Sequence, residues 1–368
     1  MIKNFLATMI FLGLSQFALA QSQCSNVLIQ ARDEFDAGHL NGIASLLNDC
    51  LNQGFTKEQK VEAYRLLTIT YLYLDDPFGA EQSFLGLLEI EPEYRILPTD
   101  PVELEYLSNR FITTPIISYF GKIGTNFSTA TVLHHYSTGN SNDKNWMYNS
   151  KIGITASGAL ELHFNKVISM VAEVEFSRRK YSYSDILLPG NLDNSHDQVD
   201  DRTNFHTSLP VGIKFTYPGL VYYPYVYGGY SPSFTLSSKA DLQRKPQKEA
   251  LVEVSSENLI HLTPNFSHSL IFGIGLKRRF DLHYIFVDLR YRLGMTNMLD
   301  TSNEFDFNIE EIRNVIFKYD LATDDYRWNS FELTVGYVWP KYKPRPKNSV
   351  TIQTVMKKWF TKKNKSNE

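Results

Sequence analysis

Eight segments in the last two-thirds of the chain alternate apolar and polar side chains, and the connections between them alternate between short and long. Apolar residues recur two apart over 152–164 and again over 168–176, and only Asn165 and Lys166 separate the two runs. A period of two turns one face of each strand toward an apolar medium. Tight turns at one end and long loops at the other are typical of a β-barrel that spans an outer membrane.

The alternation predicts an eight-stranded antiparallel up-and-down transmembrane barrel within residues 113–340. An even number of strands is usual for a single-chain bacterial barrel, and each segment is long enough to cross a bilayer when tilted. If the N-terminal domain is periplasmic, all four long connections lie outside the cell. The predicted strands cover about 117–128, 148–164, 167–182, 203–217, 220–235, 267–280, 284–298 and 328–340, and the long connections about 129–147, 183–202, 236–266 and 299–327.

The two faces of these strands differ in charge. One face is apolar, as at Leu209, Val211 and Ile213, and the other carries five acidic and five basic side chains. A charge facing lipid is costly at mid-depth, so we place the charged face inside. Eight strands enclose room for side chains only, which favours an ion-paired, filled interior over a conducting or catalytic one. The ten predicted interior charges are Lys122, Glu161, Glu173, Glu175, Lys214, Lys277, Asp288, Arg290, Arg292 and Glu332.

The first twenty residues have the features of a secretory signal peptide. Lys3 supplies the positive charge, a short apolar run follows, and Ala18–Ala20 is an A-x-A cleavage site. We expect the mature chain to begin at Gln21. A lipoprotein is the weaker alternative, because Ser22 and Gln23 precede the first cysteine where lipidation requires small residues.

The chain has two cysteines, Cys24 and Cys50. An even pair in an exported chain predicts one disulfide. The alternative, a metal site, needs two further ligands, and His39 alone is near.

Residues 21–112 have a helical period and predict a small periplasmic all-α domain. Thr56 and Gln59 have the spacing of a capping box, which predicts the start of a long helix. The helical hairpins resemble tetratricopeptide repeats, which usually present binding surfaces. Tyr71 and Tyr73 are the candidate residues for docking a protein partner. The alternative is a compact helical cap that only orients the barrel.

Several functions lack support in the sequence. The net charge of −3 is close to neutral and does not indicate a nucleic-acid partner. Gly273-Ile274-Gly275 lacks the third glycine of a dinucleotide loop, and no other cofactor is indicated. His134 and His135 are interpreted as solvated side chains rather than metal ligands, and no catalytic residue is identified. The basic tail over 341–368 either binds anionic lipid or a periplasmic partner, or is a solvated end.

The chain resembles the PorT-like outer-membrane β-barrel proteins of Bacteroidota, in the version with a helical repeat ahead of the barrel. This resemblance implies an α+β chain. Members of the family share a scaffold but no common chemistry, and one branch is tied to type IX secretion. The stretches that carry it are Glu62–Leu67, Tyr71–Asp75, Leu87-Leu88, Pro92–Tyr94, Pro115-Ile116, Tyr225–Gly229, Gly273–Lys277 and Asp288–Gly294.

Three functional hypotheses follow. The first is a non-enzymatic outer-membrane barrel whose helical domain docks a periplasmic protein, linked to type IX secretion or envelope assembly, with the domain and the C-terminal tail in the periplasm. The second is a surface receptor or adhesin that acts through the four outer loops, with an unknown ligand. The third and weakest is an outer-membrane enzyme.

Overall fold

The computed structural model describes residues 23–135, 146–187, 196–219, 221–246, 253–300, 306, 308–317, 319 and 324–347. The predicted signal peptide, residues 1–20, and the tail after residue 347 lie outside these residues. Two compact units form: Met1–Pro115 with Tyr342–Glu368, and Ile116–Lys341. No helix among the described residues is long and apolar enough to cross a membrane.

The first unit is helical. Thr56 begins α3 with the predicted capping box, in which its side chain accepts from Gln59 N and the Gln59 side chain accepts from Thr56 N. Asp76 caps the next helix by accepting from Gly79 N, and Pro77 fills the first helical position. The helices are α1 (23–36), α2 (Ile43–Asn52), α3 (Lys57–Tyr73), α4 (Pro77–Ile90) and α5 (Val102–Ser108).

Close packing and a disulfide hold these helices together. A β-carbon added at Gly86 would lie 2.7 Å from the ring of Tyr64, and one at Gly79 would lie 2.6 Å from the ring of Tyr71, so α3 and α4 need glycine at both contacts. The predicted disulfide is present and joins Cys24 of α1 to Cys50 of α2. A core of Leu28, Ala31, Ile43, Leu47, Ala63, Leu66 and Leu67 surrounds it.

The beginning of the basic tail belongs to the helical unit. Strand β1 (Phe111–Ile112) pairs antiparallel with β12 (Arg345–Pro346). Tyr342 donates a hydrogen bond to Glu93 (2.8 Å), and the backbone N–H of Lys347 donates to the carbonyl of Arg110 (2.7 Å). Neither of the two interpretations of the tail foresaw this pairing.

The second unit is a sheet of ten antiparallel strands. β2 pairs with β3, and β3 pairs with β4. β7 pairs with β9, β9 with β10, β10 with β11, and β11 with β2, which closes the sheet. β5 and β6 lie one after the other between β4 and β7, and each pairs with both. The strands are β2 (Ile117–His134), β3 (Met147–His163), β4 (Ile168–Leu187), β5 (His196–Ser208), β6 (Val211–Thr216), β7 (Tyr222–Pro246), β8 (Glu253–Asn258), β9 (Phe266–Phe280), β10 (His283–Gly294) and β11 (Asp325–Lys341).

A proline interrupts the predicted strand over 203–217 and separates β5 from β6. Pro210 has no N–H to give to the ladder. Its carbonyl still accepts from Glu173 N (2.8 Å), and Leu209 N donates to the carbonyl of Pro232 (2.9 Å). The interruption therefore stays bonded to both neighbouring strands.

Two of the predicted long loops are largely strand. β4 continues to Leu187 and β5 begins at His196, whereas the region was predicted as a loop over 183–202. β7 continues to Pro246 and pairs with β8 inside the predicted loop 236–266. In the region 299–327, α6 (Glu310–Phe317) forms. The outward face of these extensions is mostly polar, so a rule that looks for an apolar lipid-facing side does not detect them.

Candidate functional site

All ten predicted interior charges lie inside the barrel unit and are at most 7% exposed. The alternation of the strands explains this, because successive side chains point to opposite faces. The turn end is the end of the barrel unit that carries the short connections at 164–167 and 281–282. The loop end is the opposite end.

Near the turn end, one carboxylate binds two lysines. Glu161 accepts from Lys214 at 2.9 Å and from Lys277 at 3.2 Å. Ser169 donates to the same carboxylate at 2.6 Å. The Lys214 ammonium also lies 4.9 Å from the ring centre of Tyr225, a distance at which the ring attracts a cation.

The next layer joins two carboxylates to two cations. Glu173 pairs with Lys122 (3.0 Å) and with Arg290 (2.7 Å), and Arg290 Nε donates to Asp288 (2.5 Å). The guanidinium of Arg290 lies 4.3 Å from the ring centre of Tyr227. Each charge in this layer therefore has an opposite charge beside it.

The third layer centres on Arg292. Its guanidinium pairs with Glu175 (2.7 Å) and Glu332 (2.9 Å) and donates to the Ser231 hydroxyl (2.7 Å). Arg179, which is absent from the ten predicted charges, is also in the interior and is 4% exposed. The signal was present, since Arg179 continues the inward alternation of Glu173 and Glu175 along β4.

Aromatic side chains fill the interior toward the loop end. Tyr181 donates a hydrogen bond to the Tyr326 hydroxyl (2.9 Å), and the Tyr181 and Trp328 rings meet edge to face at 4.5 Å. Beyond them, an apolar cluster includes residues of α6. Its buried members are Tyr183, Ala240, Leu242, Leu259, Leu262, Leu299, Ile312, Val315 and Tyr319.

Asp324 organises polar side chains at the loop end. It accepts from the Tyr148 hydroxyl (2.8 Å) and forms a hydrogen bond with His135 (2.9 Å). His135, one of the two histidines weighed as metal ligands, thus has an acidic partner, and its ring stacks on Trp146 at 4.9 Å. Within the described part of the chain, no group of three or more His, Cys, Asp or Glu residues is arranged to hold a metal ion.

Each interior carboxylate of the three layers forms an ion pair or a hydrogen bond with a lysine or arginine side chain. A buried charge that loses its partner is strongly destabilising, so these groups act as mutual counter-ions. Together with the aromatic layer, they fill the interior with side chains. This arrangement suits a membrane anchor better than an aqueous channel.

The two candidate docking residues differ in exposure. Tyr71 is partly buried and packs in the helical core against Gly79, so little of its ring is available. Tyr73 is 55% exposed and stacks on Phe35 at 5.9 Å. Phe78, which sequence analysis did not select, is 72% exposed. Its position in the first turn gave no signal, because the next residues are the closely packed Gly79 and the buried Ala80.

An acidic side chain fixes the segment between α4 and α5. Asp100 accepts from Arg65 Nε (2.7 Å), from Leu97 N (2.7 Å) and from the Tyr94 hydroxyl (3.3 Å). Burial, with the nearby charge of Asp100, raises the pKa of Tyr94 to about 12. Tyr94 therefore stays a neutral hydrogen-bond donor at physiological pH.

Comparisons with known proteins point to one family. Residues 117–300 match the family described as "Outer membrane protein beta-barrel domain". No curated protein matches the chain. Similar solved structures include neisserial surface protein A (11% identity, 60% of this chain and 96% of that one, TM-score 0.28), OprG of Pseudomonas aeruginosa (9%, 63% and 98%, 0.33) and the attachment invasion locus protein Ail of Yersinia pestis (14%, 60% and 98%, 0.27). Identities and scores this low identify no shared function.

Proposed function

This chain belongs to the outer membrane protein beta-barrel domain family, and from that premise we propose that it is a non-enzymatic outer-membrane protein whose helical domain docks a periplasmic protein. The barrel serves as the anchor and has eight crossings, with β5 and β6 as two halves of one crossing strand. The helical domain and the C-terminal tail lie in the periplasm, and the loop end faces the outside.

The anchor role rests on the interior. Three layers of ion pairs and a layer of aromatic side chains occupy it, and these charges are buried and paired. A conducting barrel needs a continuous wet path, which such filling opposes.

The docking role rests on one observation, an exposed apolar patch where α3 meets α4. Tyr73, Leu74 and Phe78 are 55%, 39% and 72% exposed, and they lie within six positions of one another. Aromatic anchors of this kind dominate the binding energy of protein interfaces. Residues 23–110 contain fifteen Asp and Glu against six Lys and Arg, so the partner's surface is expected to be basic around an apolar pocket.

The partner belongs, on this proposal, to type IX secretion or to envelope assembly. The support is the resemblance of the barrel to PorT-like proteins and of the helical hairpins to tetratricopeptide repeats. The Tyr64–Gly86 and Tyr71–Gly79 contacts suit such a repeat, because they let two antiparallel helices approach closely.

Site-specific photo-crosslinking in living cells tests the docking role. A photoreactive amino acid at Phe78 should capture a discrete periplasmic protein, and the Tyr73→Ser/Phe78→Ser variant should no longer bind that protein. Ile29, which is 52% exposed on α1, is the matched position for both measurements. Equal capture at Ile29 and Phe78, or unchanged binding by the double variant, would contradict the proposal.

The second candidate function is a surface receptor that acts through the loop end. The observation in its favour is the built structure there, in which β8 and α6 pack on the extended β7. Replacing the long connections with short turns should do less harm than deleting the helical domain if docking is the function. The reverse order of harm would favour the receptor.

A further inference from the structure

A group of basic side chains lies on the outward wall of the barrel unit. Lys151 is the ladder partner of Lys180, Lys180 of Thr203, and Thr203 of Lys239, so the three lysines lie on one row of ladder partners across β3, β4, β5 and β7. Arg178 follows on the same face of β4, one step toward the turn end. We name these four residues the basic row.

The basic row faces outward. Arg179 and Tyr181 flank Lys180 along β4 and are buried in the interior, and Ala240, next to Lys239, is also buried. Because successive side chains of a strand alternate between faces, Lys180 and Lys239 point away from the interior. Lys151 is 44% exposed at its side chain.

The row stands where the apolar surface ends. Phe176, Phe205 and Leu236 are the last outward apolar side chains before it, and each is at least 42% exposed. On β7 the outward apolar side chains begin at Pro224, after the exposed Tyr222. From Pro224 to Leu236, a rise of ~3.3 Å per residue and a tilt of about 40° correspond to roughly 30 Å of height, the thickness of the hydrocarbon core of a bilayer. The basic row is therefore at headgroup level.

The charges of the row are only partly balanced. Asp201 and Asp241 are ladder partners on the next outward level, and Asp201 pairs with Lys151 at 2.6 Å. Four cations thus meet two carboxylates on this face. Like charges at neighbouring ladder positions repel each other, which favours an external anion. The Arg178 guanidinium lies 5.8 Å from the ring centre of Phe205, which keeps it against the wall.

Fewer cations lie on the side of the barrel unit formed by β2 and β11. Beyond the Phe127–Ile152 pair, the next outward positions there are the uncharged ladder partners Thr129 and Asn329, and the exposed Arg327 follows on β11. Four cations on one side against one on the other match a localised anionic ligand better than a uniform response to the membrane.

We propose that the basic row binds the phosphate groups of a glycolipid of the lipid A type in the leaflet around the loop end. Lysine and arginine are the usual partners of lipid phosphates, and the apolar side chains below the row accommodate the acyl chains. The choice of glycolipid rests on the proposed orientation, in which the loop end meets the outer leaflet.

Native mass spectrometry of the full-length protein in detergent tests this site. The probes are bis-phosphorylated lipid A, the same lipid without phosphates, and phosphatidylglycerol. Lys180→Ser/Lys239→Ser should weaken binding of the phosphorylated lipid A on the order of 20-fold, since each lysine near an anionic lipid contributes about a factor of five. Lys166→Ser/Arg278→Ser removes the same charge at the turn end and should change binding less than about twofold.

Folding of each variant is checked by heat-modifiable mobility on gels. Equal losses in the two double variants, equal binding of the dephosphorylated lipid, or a preference for phosphatidylglycerol would overturn the proposal. Labelling of intact cells tests the orientation separately. If labelling places the loop end in the periplasm while Lys180→Ser/Lys239→Ser still loses phosphorylated lipid A, the orientation is wrong and the phosphate site stands.

Discussion

At the scale of single residues, Arg292 shows what the barrel interior requires of its charges. Arg292 is 1% exposed, and its guanidinium contacts two carboxylates, those of Glu175 and Glu332. Removing one partner of a buried ion pair leaves the other charge uncompensated, which costs more than the pair contributes.

Arg292→Met should lower the free energy of unfolding of the barrel by about 3–5 kcal/mol. Urea titration of the protein in lipid vesicles, followed by tryptophan fluorescence, measures this. Arg327→Met is the control, because Arg327 is exposed and such changes usually stay within about 0.5 kcal/mol. Adding Glu175→Gln and Glu332→Gln to Arg292→Met should recover much of the loss. An Arg292→Met variant as stable as the control would contradict the ion-paired interior.

Gly86 is a residue whose missing side chain decides a helix contact. Gly86→Ala should destabilise the helical unit, because the new β-carbon would meet the Tyr64 ring at 2.7 Å. In a Tyr64→Ala background the same change should instead stabilise it by about 1 kcal/mol, the helix propensity difference. Thermal unfolding followed by circular dichroism at 222 nm gives both values. The same sign in both backgrounds would refute the contact.

At the scale of elements, a covalent link ties α1 to α2. The Cys24–Cys50 disulfide closes a loop with a sequence separation of 26, and both cysteines are buried in the helical core. Most of its effect is expected on the unfolded chain, which it constrains.

Cys24→Ala/Cys50→Ala should lower the free energy of unfolding of the helical unit by about 2–4 kcal/mol. Reductant should reproduce most of this loss in the natural sequence and have no effect on the double variant. The helical signal at 222 nm reports the transition. A natural protein whose transition does not respond to reductant would show that the bridge contributes little.

At the scale of the whole molecule, family membership places the chain in the outer membrane, and the interior decides what the barrel lets through. Buried ion pairs at three successive levels and an aromatic layer occupy the described interior. Purified protein in planar bilayers should show little or no stable single-channel conductance. Large, long-lived current steps would contradict the filled interior, and a porin measured in the same bilayers is the positive control.

Orientation is the second prediction at this scale. A peptide tag at Asn194, which lies outside the described residues, should be labelled on intact cells, whereas a tag at Asn52 at the end of α2 should be labelled only after permeabilisation. The reason is the alternation of short and long connections, which sends every long one to the same side. Labelling of Asn52 alone on intact cells would reverse the topology.

The sequence allowed prediction wherever a structural choice depends on near neighbours. Alternation at every second residue assigned Glu173 and Glu175 to one face, and the Thr56 and Gln59 spacing located the start of α3. Local patterns did not reveal the outer parts of β4 and β7, whose outward faces are mostly polar, or Phe78, whose exposure depends on what the rest of α4 covers. They also predicted one strand over 203–217, although Pro210 divides it.

Sequence alone determined the alternating faces, the helix caps and the pair of cysteines, because these follow from side-chain chemistry over a few residues. Only the tertiary structure decided which charges meet, since Arg292 and Glu175 are separated by 117 positions and come together through the pairing of strands around the barrel unit. It also decided the pairing of β1 with β12 and the level of the basic row. Those outcomes depend on register between distant strands, which no local pattern encodes.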